Sequence, residues 1–213
     1  KRQDLASLFL SLLGAIAYVT HTRVDIMVFI VALQRHNHDP QVLHVKRLNK
    51  LLMWVQRHPK KLAYQRFPWK GNAFPSHLRI ISDAAFKKET DKGHCLRGAL
   101  YLRAPGDDTE SFGAVKEVPI HVFDWLCKNQ RHTTRSTFAA ELFSGGDAVD
   151  HGLLLSQLLH EVSFGPMSAT EARTQRITGQ YQIPQVLYVD AMSVYAAVTA
   201  TFIKTPAEKS LLC

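Results

Sequence analysis

Three carboxylates of this sequence stand in otherwise apolar segments, where an acidic side chain is costly to place. Asp83 interrupts a run of small and apolar residues, Glu141 lies amid Phe and Ala, and Asp190 ends a short apolar run. A buried carboxylate without a partner is strongly unfavourable unless a cation or strong donors meet it. Oxygen-only ligation suits Mg²⁺. The residue types therefore indicate a site for divalent metal, provided that the fold brings the three together.

Each position taken alone also has an ordinary structural explanation. An aspartate at a strand end is more often a turn or cap residue, and a glutamate early in a helix is favoured by the helix dipole. The order of the acids is the stronger signal: one within a strand, one near the start of a helix, one at the end of a later strand. We expect the three carboxylates to converge, with metal relieving a mutual repulsion that would otherwise raise their pKa values.

Hydrophobic patterning predicts the elements that would position these acids. The pattern gives strands at 78–86, 94–103, 118–127 and 185–189 and helices at 137–162 and 191–202. A polar turn at 87–93 would join the first two strands. The succession predicts an α/β fold with a mixed sheet, a three-strand antiparallel meander plus one parallel strand, and flanking helices. If the strand face shared by Ile81, Asp83 and Ala85 is buried, the carboxylate lies among apolar neighbours.

A small helical domain is predicted ahead of the sheet. Apolar residues recur at helical spacing over Leu5–Val19, the Thr22–Asp25 segment has a capping-box pattern for a second helix, and Asp39-Pro40 would open a third. The apolar face of that third helix consists of Val42, Val45, Leu48, Leu52 and Val55. The basic residues of this helix lie mostly outside its apolar face.

The domain boundary is predicted between residues 65 and 75, where proline, glycine and tryptophan accumulate. We therefore expect a helical domain over 1–66 and the α/β domain over 67–213. Because the chain starts at Lys1 and stops at Cys213, we expect a piece of a longer protein whose α/β domain is C-terminally truncated.

Bulk properties restrict the class of partner. The formal charge of +8 indicates an anionic partner, either nucleic acid or an anionic membrane.

The apolar run near the start of the chain also resembles a secretory signal segment, although a second apolar run follows at 26–33, as it would in a packed pair of helices. Three cysteines without a CxxC pair favour a reducing compartment, and His94, Cys95, Cys127 and His132 match no zinc-site spacing.

The flanks of the three acids resemble the ribonuclease H domain of copia-type retrotransposon Pol polyproteins. The family's Ser-Asp-Ala-Asp-Trp-like strand segment is met by Ser-Asp-Ala-Ala-Phe at 82–86. Its Ser-Ser-Thr-Glu-Ala-Glu-like helix start is met by Ser-Thr-Phe-Ala-Ala-Glu at 136–141, and its Asp-Asn-Gln-Ser-like motif by Asp-Ala-Met-Ser at 190–193. The resemblance implies a ribonuclease H-like fold and gives catalytic and metal-binding roles to Asp83, Glu141 and Asp190.

The N-terminal part is similar to the C-terminal part of the reverse transcriptase in the same polyproteins. Its segment Thr-His-Thr-Arg-Val-Asp-Ile at 20–26 resembles a Thr-Asn-Thr-Arg-Pro-Asp-Ile segment of the family, and Lys-Arg-Leu follows at 46–48. Residues 1–66 would then be a thumb-like or connection-like tail. The chain departs from the family at Ala85, Ala139 and Ala191, which replace Asp, Glu and Asn, but keeps all three aligned ligands.

The resemblance implies an endoribonuclease that cuts the RNA strand of RNA–DNA hybrids during reverse transcription. Two Mg²⁺ or Mn²⁺ ions about 4 Å apart would clamp the scissile phosphate, with Asp83 as the bridging ligand. The expected partners are the hybrid and the remainder of the Pol polyprotein, without membrane or small-molecule cofactor. The expected location is a cytoplasmic virus-like particle, or the nucleus. The alternative is a catalytically inactive, decayed or truncated module that keeps the fold and binds nucleic acid.

Polar and basic side chains in both predicted domains are candidates for contacts with nucleic acid, the alternative being an ordinary solvated surface. Selection of a hybrid would also require contacts with RNA 2′-hydroxyls across the minor groove. The candidates are Lys46, Arg47, Lys50, Lys87, Lys88, Arg97, Lys128, Arg131, Arg135 and Ser193.

Overall fold

The computed structural model describes residues 2–67, 76–85, 96–105, 119–130, 134 and 136–201. In this structure the chain forms two compact units, residues 1–63 and 64–213. The predicted boundary fell after residue 66, within the composition change that begins near Gln65.

The first unit consists of three helices: α1 (Arg2–Val19), α2 (Met27–Gln34) and α3 (Val42–Arg57). A short 3-10 helix at Val24–Ile26 leads into α2. The apolar run of α1 packs into a shared core, as expected for a packed helix pair. That core consists of Phe9, Leu13, Ile16, Ile26, Ile30, Leu33, Leu48 and Leu51. Across the described residues, no helix combines the length and apolarity needed to cross a membrane.

The predicted start of α2 is wrong. Thr22 does not cap the helix, because its hydroxyl donates to the carbonyl of Val19 at 3.2 Å. Asp25 accepts two hydrogen bonds from the Arg23 guanidinium, at 2.9 and 3.0 Å, instead of completing a capping box. The chain passes through the 3-10 turn first, and α2 begins at Met27 without a side-chain cap.

The predicted start of α3 is also wrong. The N-cap is Gln41 rather than Asp39, and a capping box forms because His44 Nδ1 accepts from the Gln41 N–H at 3.0 Å. Leu51, which was not part of the predicted face, is buried, whereas Val42 is 58% exposed. The predicted apolar face was therefore right in its centre and wrong at its first residue.

The second unit contains a four-stranded sheet in the order β3-β2-β1-β4. Its strands are β1 (Ser76–Ala85), β2 (Leu96–Pro105), β3 (His121–Asn129) and β4 (Gln185–Tyr188). The first three form an antiparallel meander, and β4 pairs with β1 in parallel. This confirms the predicted mixed α/β sheet with flanking helices. The predicted hairpin turn at 87–93 lies outside the described residues.

In the described part of this unit, three helices accompany the sheet: α4 (Thr137–Phe164), α5 (Ala169–Thr178) and α6 (Met192–Val198). The packing of α4 decides which face of β1 is buried. Leu78 and Ile80 are fully buried, whereas Ile81 is 45% exposed and Asp83 is also exposed. The face of Ile81, Asp83 and Ala85 is therefore the exposed one, and the buried setting considered for Asp83 is not found.

Candidate metal centre

The three acidic residues converge at one end of the β1–β4 pair. Asp83 and Asp190 each stand two positions beyond Ile81 and Tyr188, the last residues that pair the two parallel strands. Glu141 comes from the beginning of α4, which packs against both strands. One carboxylate oxygen from each residue lies within 4.8 Å of the other two. The predicted convergence is thus confirmed.

The end of β4 explains how Glu141 reaches this position. Among the described residues, no strand lies beside this edge of β1 beyond Ile81, so its backbone donors need another partner. The N–H of Ala84 donates to Glu141 Oε1 at 3.2 Å. The helix that presents Glu141 is capped at its start by Ser136, whose hydroxyl accepts from the Ala139 N–H at 3.1 Å.

Two buried hydroxyl groups hold the segment that carries Asp83. Ser144, one helical turn after Glu141, donates to the carbonyl oxygen of Asp83 at 3.0 Å. The Ser82 hydroxyl lies 3.0 Å from that of Ser144 and must be the donor, because the Ser144 proton is already used. Sequence reasoning missed both residues. The available signal was a small polar residue three positions after Glu141, on the same helix face.

The electrostatics of the cluster centre on Glu141, which is 8% exposed. Burial raises the pKa of its carboxyl to about 7; the Ala84 N–H opposes this shift, and the nearby Asp83 and Asp190 add to it. Its second oxygen, Oε2, is buried and has no hydrogen-bond partner among the described residues. A buried acceptor without a donor, beside two exposed carboxylates, is the arrangement that a bound cation would satisfy.

The donor set fits a divalent ion. Oxygen ligands at 2.0–2.1 Å from Mg²⁺ stand roughly 4.2 Å apart when they face each other across the ion. The separation of up to 4.8 Å in the cluster therefore needs only a small movement of the side chains. All three donors are carboxylates, the ligand type that hard cations prefer. Asp83, Glu141 and Asp190 together can hold a metal ion.

The candidates for nucleic-acid contacts are placed differently from one another. Lys46, Arg47 and Lys50 are exposed on α3 of the first unit, and Lys128 is exposed near the end of β3. Ser193 is exposed in the first turn of α6, close in sequence to Asp190. The predicted contacts at Lys87, Lys88, Arg131 and Arg135 lie outside the described residues.

Arg97 differs from the other candidates. Its side chain is only 5% exposed, and it forms an ion pair with Asp147 of α4. Arg97 pairs with Ala84 between β1 and β2, and side chains of paired residues point to the same face of a sheet. Arg97 therefore points to the face that α4 covers. Arg97 therefore belongs to the packing of β2 against α4 rather than to the surface where a phosphate contact was expected.

The net charge is concentrated in the first unit. Residues 1–63 contain ten lysines and arginines against three aspartates, which gives +7 of the total of +8. The second unit has sixteen basic against fifteen acidic residues and is close to neutral. The excess of basic side chains is therefore located in the helical unit, whereas the carboxylate cluster belongs to the other.

The Thr-Arg-Val-Asp segment has a structural role in the first unit. The guanidinium of Arg23 is buried, binds Asp25 through two nitrogens and donates to the carbonyl of His58 at 2.9 Å. It also lies over the ring of Trp54, 5.4 Å from the centroid. The hydrogen bonds to Asp25 raise the pKa of Arg23 and lower that of Asp25. The segment thus ties the start of α2 to the end of α3.

None of the protein-family models, curated proteins or solved structures compared with the chain gives a significant match. Function is therefore inferred from the carboxylate geometry, the distribution of charge and the sequence motifs. The three carboxylates of the second unit could bind a metal ion, and most of the positive charge belongs to the first unit.

Proposed function

We propose that this protein is a metal-dependent endoribonuclease of the ribonuclease H type, which cuts the RNA strand of RNA–DNA hybrids. The observation that carries the proposal is the convergence of Asp83, Glu141 and Asp190 from a strand, a helix and a strand end. The sheet order β3-β2-β1-β4, with an antiparallel meander and one parallel strand, is compatible with a ribonuclease H-like fold. The motifs around the acids resemble that domain of copia-type Pol polyproteins.

Two divalent ions, Mg²⁺ or Mn²⁺, are the cofactors of this proposal, held by the three carboxylates. When bound, such ions activate water and stabilise the charge on a phosphate undergoing cleavage. The protein's own contribution is to fix the ligands in place. The Ala84 N–H orients Glu141, and the Ser144 hydroxyl anchors the backbone of Asp83. The pKa of about 7 means that Glu141 gives up its proton readily near neutral pH when a cation is offered.

The wider setting follows the same resemblance. The first unit would be the end of a reverse transcriptase, and its charge of +7 supports contact with the phosphates of the hybrid. The remainder of the Pol polyprotein would be the other partner. A cytoplasmic virus-like particle, or the nucleus, is the proposed location.

Cleavage of a hybrid with labelled RNA tests the proposal. We expect Mg²⁺- or Mn²⁺-dependent cutting of the RNA strand in the hybrid, with double-stranded RNA and double-stranded DNA left intact. Asp83→Asn should lower the rate about a hundredfold or more, because it removes a ligand charge at the site of cleavage. The matched control is Asp150→Asn, an exposed acid of α4 outside the cluster, which should cleave at the unmodified rate.

The alternative of a catalytically inactive nucleic-acid-binding module is favoured by the charge of the first unit alone. It predicts salt-dependent binding of the hybrid without cleavage in either metal. Cleavage that persists unchanged in Asp83→Asn would instead point to a contaminating nuclease, and the proposed role of the cluster would be lost.

A further inference from the structure

A cavity of about 600 Å³ opens between α2 and α3 of the first unit. Apolar side chains form most of its lining, and basic side chains stand among them. The lining residues are Phe29, Ala32, Leu33, His36, Arg47, Lys50, Leu51 and Trp54. The groove is defined by these residues and shares none with the carboxylate cluster.

The composition of α2 indicates that this groove is normally covered. Every residue of Met27–Gln34 except the last is apolar, so the helix has no polar face to turn to water. Ile30 and Leu33 are buried in the core of the unit, but Phe29 remains 54% exposed and Val28 46%. A helix that is apolar all round is ordinarily buried all round. Exposed apolar surface of this kind marks a place where another molecule docks.

The α3 side of the groove adds positive charge. Arg47 and Lys50 stand on the same helix face as Leu51 and Trp54, because positions three and four apart lie above one another. Arg47 and Lys50 are both exposed. The unit as a whole carries +7. The groove therefore selects for an occupant that is apolar on one side and acidic beside it.

Two of the aromatic rings that line the groove, those of Trp54 and His36, already stack on other side chains of this unit. Trp54 is stacked on His58 with centroids 4.9 Å apart, and Arg23 also lies over its ring. His36 is stacked on His44 at 3.7 Å. Single-stranded nucleic acid is held by open aromatic faces, whereas aliphatic and aromatic side chains lining a cleft suit the apolar side of a helix.

We propose that this groove binds an acidic amphipathic helix of a partner protein. Apolar residues at positions i, i+3, i+4 and i+7 of that helix would pack on Phe29, Ala32 and Leu51, with flanking carboxylates meeting Arg47 and Lys50. The first unit would then recruit a protein, while the carboxylate cluster acts on its substrate. The interaction does not depend on the proposed nuclease activity.

Fluorescence anisotropy with a defined probe tests this interaction on the full chain. The probe is a labelled helical peptide with leucine at i, i+3, i+4 and i+7 and glutamate beside them, and its matched control carries glutamine instead of glutamate. We expect the acidic peptide to bind about tenfold more tightly than the control, with a difference that shrinks as salt is added. Equal binding of the two peptides would overturn the proposal.

Two substitutions locate the site. Ala32→Glu places a negative charge on the apolar floor of the groove, and Lys50→Glu reverses the charge at its rim. Each substitution should lower the affinity for the acidic peptide about tenfold. Lys61→Glu changes the net charge by the same amount as Lys50→Glu, at an exposed position outside the groove, and should have little effect on binding of the peptide. Circular dichroism should show unchanged helicity in all three variants. Equal weakening by Lys61→Glu would show that the attraction is not specific to the groove.

Two other occupants give different results. If a second copy of the chain covers the groove, the unmodified protein will self-associate, Ala32→Glu will abolish that association, and the peptide will compete with it. If nucleic acid occupies the apolar floor of the groove, rather than contacting only Arg47 and Lys50 at its rim, Ala32→Glu will weaken binding of a labelled oligonucleotide as strongly as it weakens binding of the peptide. Either result would overturn the proposed partner. The cleavage assay is unaffected by these outcomes and tests the nuclease separately.

Discussion

The buried carboxyl of Glu141 makes the stability of the metal-free protein depend on pH. Its pKa in the folded protein is about 7, against an ordinary value of 4.5, chiefly because of burial. The folded state therefore holds a proton in a range where the unfolded chain has lost it. The resulting stabilisation is fully present below about pH 4.5 and is lost as the pH rises through 7.

The size of this effect follows from the shift. The difference of about 2.5 between the two pKa values corresponds to at most roughly 3.4 kcal/mol, at about 1.36 kcal/mol for each unit of pKa. Asp83 and Asp190 are exposed, so solvent screens their part of the repulsion and a loss of about 2 kcal/mol is the practical expectation. Glu141→Gln keeps the volume of the side chain and removes the titration. The variant should therefore be more stable than the unmodified protein at pH 8 when no metal is present.

Urea denaturation in EDTA at several pH values between 5 and 8 measures this prediction. Because eleven histidines also titrate in this range, the informative quantity is the difference between the unmodified protein and Glu141→Gln at each pH. Glu161→Gln on the same helix is the matched control and should retain the slope of the unmodified protein. A difference between the unmodified protein and Glu141→Gln that stays constant from pH 5 to 8 would refute the account of Glu141.

Three further results are expected. Mg²⁺ or Mn²⁺ should raise the melting temperature measured by differential scanning fluorimetry, and Asp83→Asn should make that rise smaller. Without metal, the variant should be as stable as the unmodified protein or slightly more stable, because one of the repelling charges has been removed. In chemical denaturation, Asp147→Ala should cost about 1–2 kcal/mol and more than Arg97→Met, because it removes the carboxylate paired with a buried guanidinium, while the 37% exposure of Asp147 lets solvent screen part of the loss. Reversing the charges of Lys46, Arg47 and Lys50 should flatten the dependence of hybrid affinity on salt concentration; an unchanged slope would mark these bases as solvated surface.

The strand and helix order of the second unit could be predicted because its hydrophobic pattern is strong. The alternating run around Ile80 and the apolar run before Asp190 both became strands within a few residues of the expected bounds. Helix α5 was not predicted, since it has no buried residue and hence no apolar stripe to detect. Two local signals were nevertheless present: Ser168 and Glu171 form a capping box, and Gly179 ends the helix with a positive φ of 68°.

The carboxylate cluster could be predicted as a set but not in its surroundings. The order of Asp83, Glu141 and Asp190 along alternating elements is visible in the sequence, and parallel pairing then brings the strand ends together. Which face of β1 is covered depends on where α4 packs, and the hydrophobic pattern of the sequence does not determine that packing. The burial of Arg97 likewise depends on Asp147, a residue of a different element. The hydrogen bond from the Ser144 hydroxyl to Asp83 was not predicted either, although Ser144 lies three positions after Glu141 on the same helix face.

The most direct test of the central claim is a crystal of this protein grown or soaked with Mn²⁺ and measured for anomalous scattering. Anomalous difference peaks should lie between the carboxylates of Asp83, Glu141 and Asp190, and they should disappear from crystals of Asp83→Asn. Two peaks would also support the proposed pair of ions. Well-ordered carboxylates at saturating Mn²⁺ with no peak among them, or with manganese bound only elsewhere, would contradict the assignment of this cluster as a metal centre.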